Sequence, residues 1–206
     1  MTTPASGDRR ELRVRGSAWA QSLARAIAAW GVSPNQISVL SIAFAAAGAL
    51  ALWAGGWWWL AAACIQGRLL CNLFDGMVAV EHGRQTPLGV VYNEFPDRIA
   101  DSLLIVAAGY AAGWAALGWF GALAAALTAY VRVFGAACGM GHDFRGPMAK
   151  QHRMALLTVA CVLQPFVAPP WPLRTVVALI AAGSVLTCVT RTRALAGRLR
   201  EQAAAR

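Results

Sequence analysis

Between Leu69 and Val106 the chain holds five Asn and Asp side chains at helical spacing within a largely apolar run. Asn72 and Asp75 stand three residues apart with Ala79 four further on, and Asn93, Asp97 and Asp101 follow at intervals of four. These intervals place each group on one face of its own helix. Gly76 and Ala79 leave the first face open to close approach. Carboxylates and amides without His or Cys suit a hard divalent cation such as Mg²⁺ or Mn²⁺. Three bare aspartates would repel one another, and such an ion cancels the repulsion while staying free to hold phosphates. The competing reading is that Arg68, Arg98 and Arg132 pair with the acids and simply tie helices together.

The elements that must position these groups are membrane helices. Hydrophobic residues make up 58% of the chain and charged residues only 13%, in runs longer than a soluble helix needs, which marks an integral membrane protein. Apolar stretches predict six transmembrane helices, at about 37–55, 57–79, 95–113, 117–139, 154–171 and 173–190. Turn chemistry separates them at Ala54-Gly55-Gly56, from Gly113 to Gly118, and at Pro169-Pro170-Trp171-Pro172. The expected fold is an all-α membrane protein: 1–35 as cytoplasmic leader and interfacial helix, 36–191 as the six-helix membrane domain, and 192–206 as a basic cytoplasmic tail. Cys64, Cys71, Cys138, Cys161 and Cys188 are scattered singly, which speaks against a disulfide framework or a zinc site. The arginine-rich start followed by an amphipathic stretch does not read as a cleavable signal peptide.

Basic residues set the expected orientation. Arg9, Arg10, Arg13, Arg15 and Arg25 precede the first span, Arg84 follows the second, Arg145, Lys150 and Arg153 follow the fourth, and Arg191, Arg193, Arg198, Arg200 and Arg206 follow the sixth. The opposite turns carry only Arg174, so both termini are expected in the cytoplasm. The net charge of +9 then reflects this bias and contact with anionic membrane lipids, because no aromatic-interleaved basic patch suggests nucleic acid. Residues 9–30 place Leu12, Trp19, Leu23, Ile27 and Trp30 against arginines, as in an amphipathic helix lying on the membrane surface. Trp57-Trp58-Trp59 reads as an aromatic belt at the other interface.

The acid-bearing segment resembles the signature of the CDP-alcohol phosphatidyltransferase family, D-x2-D-G-x2-A-R-x8-9-G-x3-D-x3-D. Asp75-Gly76-x2-Ala79 matches its centre, Thr86-Pro87-Leu88-Gly89 resembles the following loop, and Asp97-x3-Asp101 resembles its end. Ser33-Pro34-Asn35-Gln36-Ile37, Tyr130-Val131-Arg132 and Gly146-Pro147-Met148-Ala149-Lys150 extend the likeness over about 33–190. The departures are Asn72 for the first Asp and Val80 for the Arg. Without a gap, Asn93 and Asp97 fall at the last two Asp positions; with one extra turn, Asp97 and Asp101 do, and that register fits the distance to Arg132 better.

The resemblance implies divalent-metal-dependent transfer of a phosphatidyl group from a CDP-linked lipid such as CDP-diacylglycerol to an alcohol, with release of CMP. In the preferred register it implies Asp75, Asp97 and the neutral oxygen of Asn72 as ligands of Mg²⁺ or Mn²⁺, two ions being expected, and Asp101 as the base. Asn93 is the further metal candidate of the ungapped register. Gly76 and Ala79 would let cytidine and pyrophosphate lie close to the helix, and Arg132 and Lys150 could hold substrate phosphate. A homodimer in a bacterial inner membrane, with the site facing the cytoplasm, completes the expectation. Two other classes stay open: a catalytically silent member acting as a membrane scaffold, suggested by Asn72 and Val80, and an ion or solute transporter, which predicts acids at mid-membrane and an inverted repeat.

Overall fold

The computed structural model describes residues 13–81, 83, 86–168 and 170–205. Arg9, Arg10, Leu12, Arg84, Pro169 and Arg206, all used in the sequence reading, lie outside them. Among the described residues the chain is helical with no strand. A short 3-10 turn at Arg13–Gly16 leads into α1 (Ala18–Ala29), followed by α2 (Pro34–Ala54), α3 (Trp58–Glu81), α4 (Gly89–Ala111), α5 (Ala115–Ala137), α6 (Lys150–Leu163) and α7 (Trp171–Ala204). Four of these, α2, α3, α5 and α7, are long and apolar enough to cross a membrane. The other two expected spans fall on α4, which carries Glu94, Asp97, Arg98 and Asp101, and on α6, with 14 residues.

Local chemistry explains the boundaries. Ser33 and Gln36 form a capping box at the start of α2, the Ser33 hydroxyl accepting from the Gln36 N–H and the Gln36 side chain accepting from the Ser33 N–H, with Pro34 in the first turn. The α4–α5 turn is close because Gly109 and Gly118 face each other. A Cβ on Gly109 would lie 2.6 Å from the Gly118 Cα, so the crossing needs two glycines.

In α1, Ala20, Ala24 and Ala28 form the buried stripe that packs against α3, while Trp19, Leu23 and Trp30 remain exposed. The small residues face protein and most of the large apolar ones face outward. The remaining helices pack as α2 on α3 and α4, α4 on α5, α5 on α7, and α6 between α3 and α7. Helix α3 has no extensive backbone packing with α4. Polar side chains span the gap, and that gap is the candidate site.

Helix α7 does not stop at residue 190. It runs to Ala204, so the segment expected as a basic tail continues the helix. Arg191 donates to the carbonyls of Arg145 and Thr128, and Arg198 to that of Met140 and to the Asp143 carboxylate. The α5–α6 loop is thereby strapped to α7. Burial opposes the ionised form of Asp143, but the Arg145 N–H and the guanidinium groups of Arg145 and Arg198 outweigh it and hold that carboxyl below its usual range.

Candidate active site between α3, α4 and α6

Helix α3 presents Arg68, Asn72 and Asp75 along one stripe, and α4 presents Asn93, Asp97 and Asp101 along another. Pro96 sits inside α4, where its ring removes one backbone donor immediately before Asp97. Arg68 reaches from α3 to α4: its Nη2 lies 2.6 Å from Asp101 Oδ1 and 3.5 Å from Asp97 Oδ1, and it also donates to the Asp97 carbonyl at 3.3 Å. Arg153, from the first turn of α6, meets Asp101 Oδ2 at 2.6 Å and the Met148 carbonyl at 2.9 Å. Both oxygens of Asp101 are therefore held by guanidinium groups. Leaving a buried charge without its partner costs about 3–5 kcal/mol, which this pairing avoids.

Asp97 is differently placed. Its Oδ1 accepts from Asn72 Nδ2 at 2.7 Å and its Oδ2 from Lys150 Nζ at 2.6 Å. It lines a cavity of about 300 Å³ that opens between α3, α4, α5, α6 and α7. Asp75 is buried beneath, its Oδ2 accepting from the Ser38 hydroxyl of α2 at 2.6 Å, and is close enough to feel the charges of Asp97 and Lys150. Asn72 and Asn93 both line the cavity; Asp75 and Asp101 do not. Gly76 and Ala79 are part-buried one and two turns beyond Asn72, outside the cavity lining.

The charged part of the lining is mostly cationic. Arg15, Arg98, Arg132, Lys150, Arg153 and Arg191 face the cavity against only Glu94 and Asp97. Arg132 lies 2.6 Å from Glu94 Oε1, above the Phe144 ring, and Arg98 takes the other Glu94 oxygen at 2.6 Å. The pairing of acids by arginines holds for Arg68, whereas Arg98 and Arg132 pair with Glu94 instead of the aspartates. Among the described residues no group of three His, Cys, Asp or Glu side chains stands ready to hold a metal ion.

Arg191 and Glu94 do not stand out as site residues in the sequence, and Arg153 reads there equally well as a phosphate-positioning residue and as ordinary flanking positive charge. Glu94 sits beside Asn93 without the four-residue interval of the other acids, and Arg191 looks like any flanking positive charge until α7 brings it to Thr128.

A family model described as CDP-alcohol phosphatidyltransferase matches residues 31–190. Among curated proteins, the phosphatidylinositol phosphate synthase of Mycolicibacterium smegmatis is 26% identical over 185 residues, covering 84% of this chain and 82% of its own. That of Mycobacterium marinum is 27% identical over 181 residues, covering 82% and 76%. The phosphatidylinositol phosphate synthase of Mycobacterium tuberculosis solved with manganese and citrate superposes with a TM-score of 0.73 at 26% identity, covering 85% of this chain and 88% of that one. Its form with CDP-DAG bound gives a TM-score of 0.75 at 23% identity, with 87% and 94% covered, a likeness of fold.

Proposed function

Because the chain belongs to the CDP-alcohol phosphatidyltransferase family, we propose that it transfers a phosphatidyl group from a CDP-linked lipid such as CDP-diacylglycerol to an alcohol that itself carries phosphate, releasing CMP. The observation that carries the acceptor class is the excess of cations over acids in a cavity with Asp97 on its wall. Arg132, Lys150, Arg153 and Arg191 give a phosphorylated alcohol several charge-assisted donors, which a neutral or cationic acceptor would leave facing each other. The names of the curated relatives, phosphatidylinositol phosphate synthases, point the same way.

Asp75, Asp97, Asn72 and Asn93 form an all-oxygen donor set from two facing helices, which fits one hard divalent ion, Mg²⁺ or Mn²⁺. Two carboxylates make a pair of ions a poor fit. A bound ion would supply stabilisation of the charge that builds on the pyrophosphate oxygens. The chain's own residues do the rest. The arginines hold the acceptor phosphate, and Asp97, the one aspartate lining the cavity, takes the proton of the attacking hydroxyl. Asp101, enclosed by Arg68 and Arg153, acts as a positioning residue for those two guanidinium groups. This reading favours the ungapped register, with Asn93 and Asp97 as the last two signature positions.

The six helices α2 to α7 are read as six crossings of a bacterial inner membrane, with both termini and the site at the cytoplasmic side, and α1 lying on that surface. The flanking arginines support this orientation. A homodimer, expected from the family resemblance, belongs to the same proposal. The deciding experiment incubates detergent-solubilised protein with labelled CDP-diacylglycerol and a panel of acceptors: inositol phosphate, glycerol phosphate, inositol, serine and choline. CMP release that depends on a phosphorylated acceptor supports the reading. Release driven by serine or choline alone overturns the acceptor class, and no release with any of them overturns the transfer itself.

A further inference from the structure

Both oxygens of Asp97 are occupied by the protein itself: Oδ1 by the Asn72 amide at 2.7 Å and Oδ2 by the Lys150 ammonium at 2.6 Å. Asp101 is matched by Arg68 and Arg153, so both aspartates on α4 already have a cation. Asn72 and Asn93, where carboxylates would add negative charge, are neutral. A divalent ion approaching Asp97 would meet a fixed positive charge on the oxygen it needs, in surroundings where charges are poorly screened.

We infer that Lys150 is a built-in counter-cation of Asp97, which a divalent ion must displace from that carboxylate, so that metal and Lys150 compete for it. The inference rests on the transfer reading for its choice of ion but not for its test. Lys150 is suited to the role because it opens α6 and its side chain is part-exposed, leaving it room to swing from Asp97 into the cavity. There it joins Arg132 and Arg191, so displacement by the ion would add one cation to the surface that meets acceptor phosphate. Arg68 cannot move in the same way, being fully enclosed and fixed to Asp101 at 2.6 Å.

The test measures Mn²⁺ binding to the full-length protein in detergent, from the electron paramagnetic resonance of free Mn²⁺, without any substrate. Lys150→Met is expected to tighten binding by about tenfold or more, since it removes a unit charge within a few ångströms of the ion. Lys150→Arg is expected to bind as weakly as the parent. Arg145→Met, which removes an exposed cation that pairs with Asp143, is expected to change binding less than about twofold if the effect is local. Asp97→Asn in the Lys150→Met background should abolish the gain. Unchanged or weaker Mn²⁺ binding by Lys150→Met overturns the inference, as does a gain that survives Asp97→Asn. A failed Mn²⁺ result beside acceptor-dependent CMP release removes the competition and leaves the transfer reading standing.

Discussion

Arg153 and Asp101, 52 residues apart in the chain, meet at 2.6 Å with both side chains almost wholly enclosed. The same carboxylate takes Arg68 on its other oxygen at 2.6 Å, so one acid joins α3, α4 and α6.

Breaking that junction from one side should destabilise the fold. Arg153→Met leaves Asp101 short of a partner where water cannot replace it, and a loss of about 3–5 kcal/mol is expected. Equilibrium unfolding in mixed micelles, followed by tryptophan fluorescence, checks it. The double variant Arg153→Met with Asp101→Asn should recover a large part of the loss; a single variant as stable as the parent would remove the pair from the structural core.

The acids nearer the chemistry should behave otherwise. Asp97→Asn and Asp75→Asn are each expected to lower turnover at least about a hundredfold, the scale of losing a charge-stabilising or proton-transfer group, with an unchanged elution profile. Asp101→Asn should show its loss first in stability. Near-normal turnover in Asp97→Asn would take that residue away from the reacting groups.

Asn72→Asp restores a negative charge at the first signature position. The Mn²⁺ or Mg²⁺ concentration for half-maximal activity, or for thermal stabilisation where the acceptor is unknown, should fall. Asn93→Asp tests the register alongside it. A comparable shift supports the ungapped alignment, and none supports Asp97 and Asp101 as the terminal pair.

The loop that delivers Lys150 is pinned to α7 at Gly146. Its φ is +113°, and a Cβ there would lie 2.5 Å from Thr187 Cγ2, while the Thr187 hydroxyl accepts from the Met148 N–H at 3.0 Å. Gly146→Ala should cost about 1–3 kcal/mol from backbone strain and speed tryptic cleavage at Arg145. Adding Thr187→Ser removes the nearest of three close atoms, the methyl, while Cβ and the hydroxyl oxygen at 2.9 Å remain, so it should restore only part of the protection. Cleavage at the parental rate in Gly146→Ala would show that the loop has another seat.

Orientation can be read by labelling in a cysteine-free background. Trp171→Cys should react with an impermeant reagent outside the cell and Phe144→Cys should not. The reverse pattern would invert the chain and put the site on the wrong face for a cytoplasmic CDP-linked donor.

The local rules of the chain determined its helices and most of the site's neighbourhood. Apolar run lengths placed the helices but not the ends of α6, which stops at Leu163, or of α7, which runs to Ala204; the Ser33 to Gln36 capping box fixed where α2 begins, and intervals of three and four put Asn72 with Asp75 and Asn93 with Asp97 and Asp101 on single faces. Those are short-range properties, set by backbone geometry that each segment carries with it. Partner choice was decided only by the tertiary structure, because spacing says which way a side chain points and nothing about what another helix brings to meet it. Asp97 and Asp101 look equivalent in sequence, yet α6 sets a part-exposed lysine on one and an enclosed arginine on the other. Arg191 is indistinguishable from its neighbouring arginines until α7 seats it against Thr128. How each carboxylate is held depends on which cations come within about 3 Å of it, and contacts between residues some fifty positions apart arise only when the helices pack.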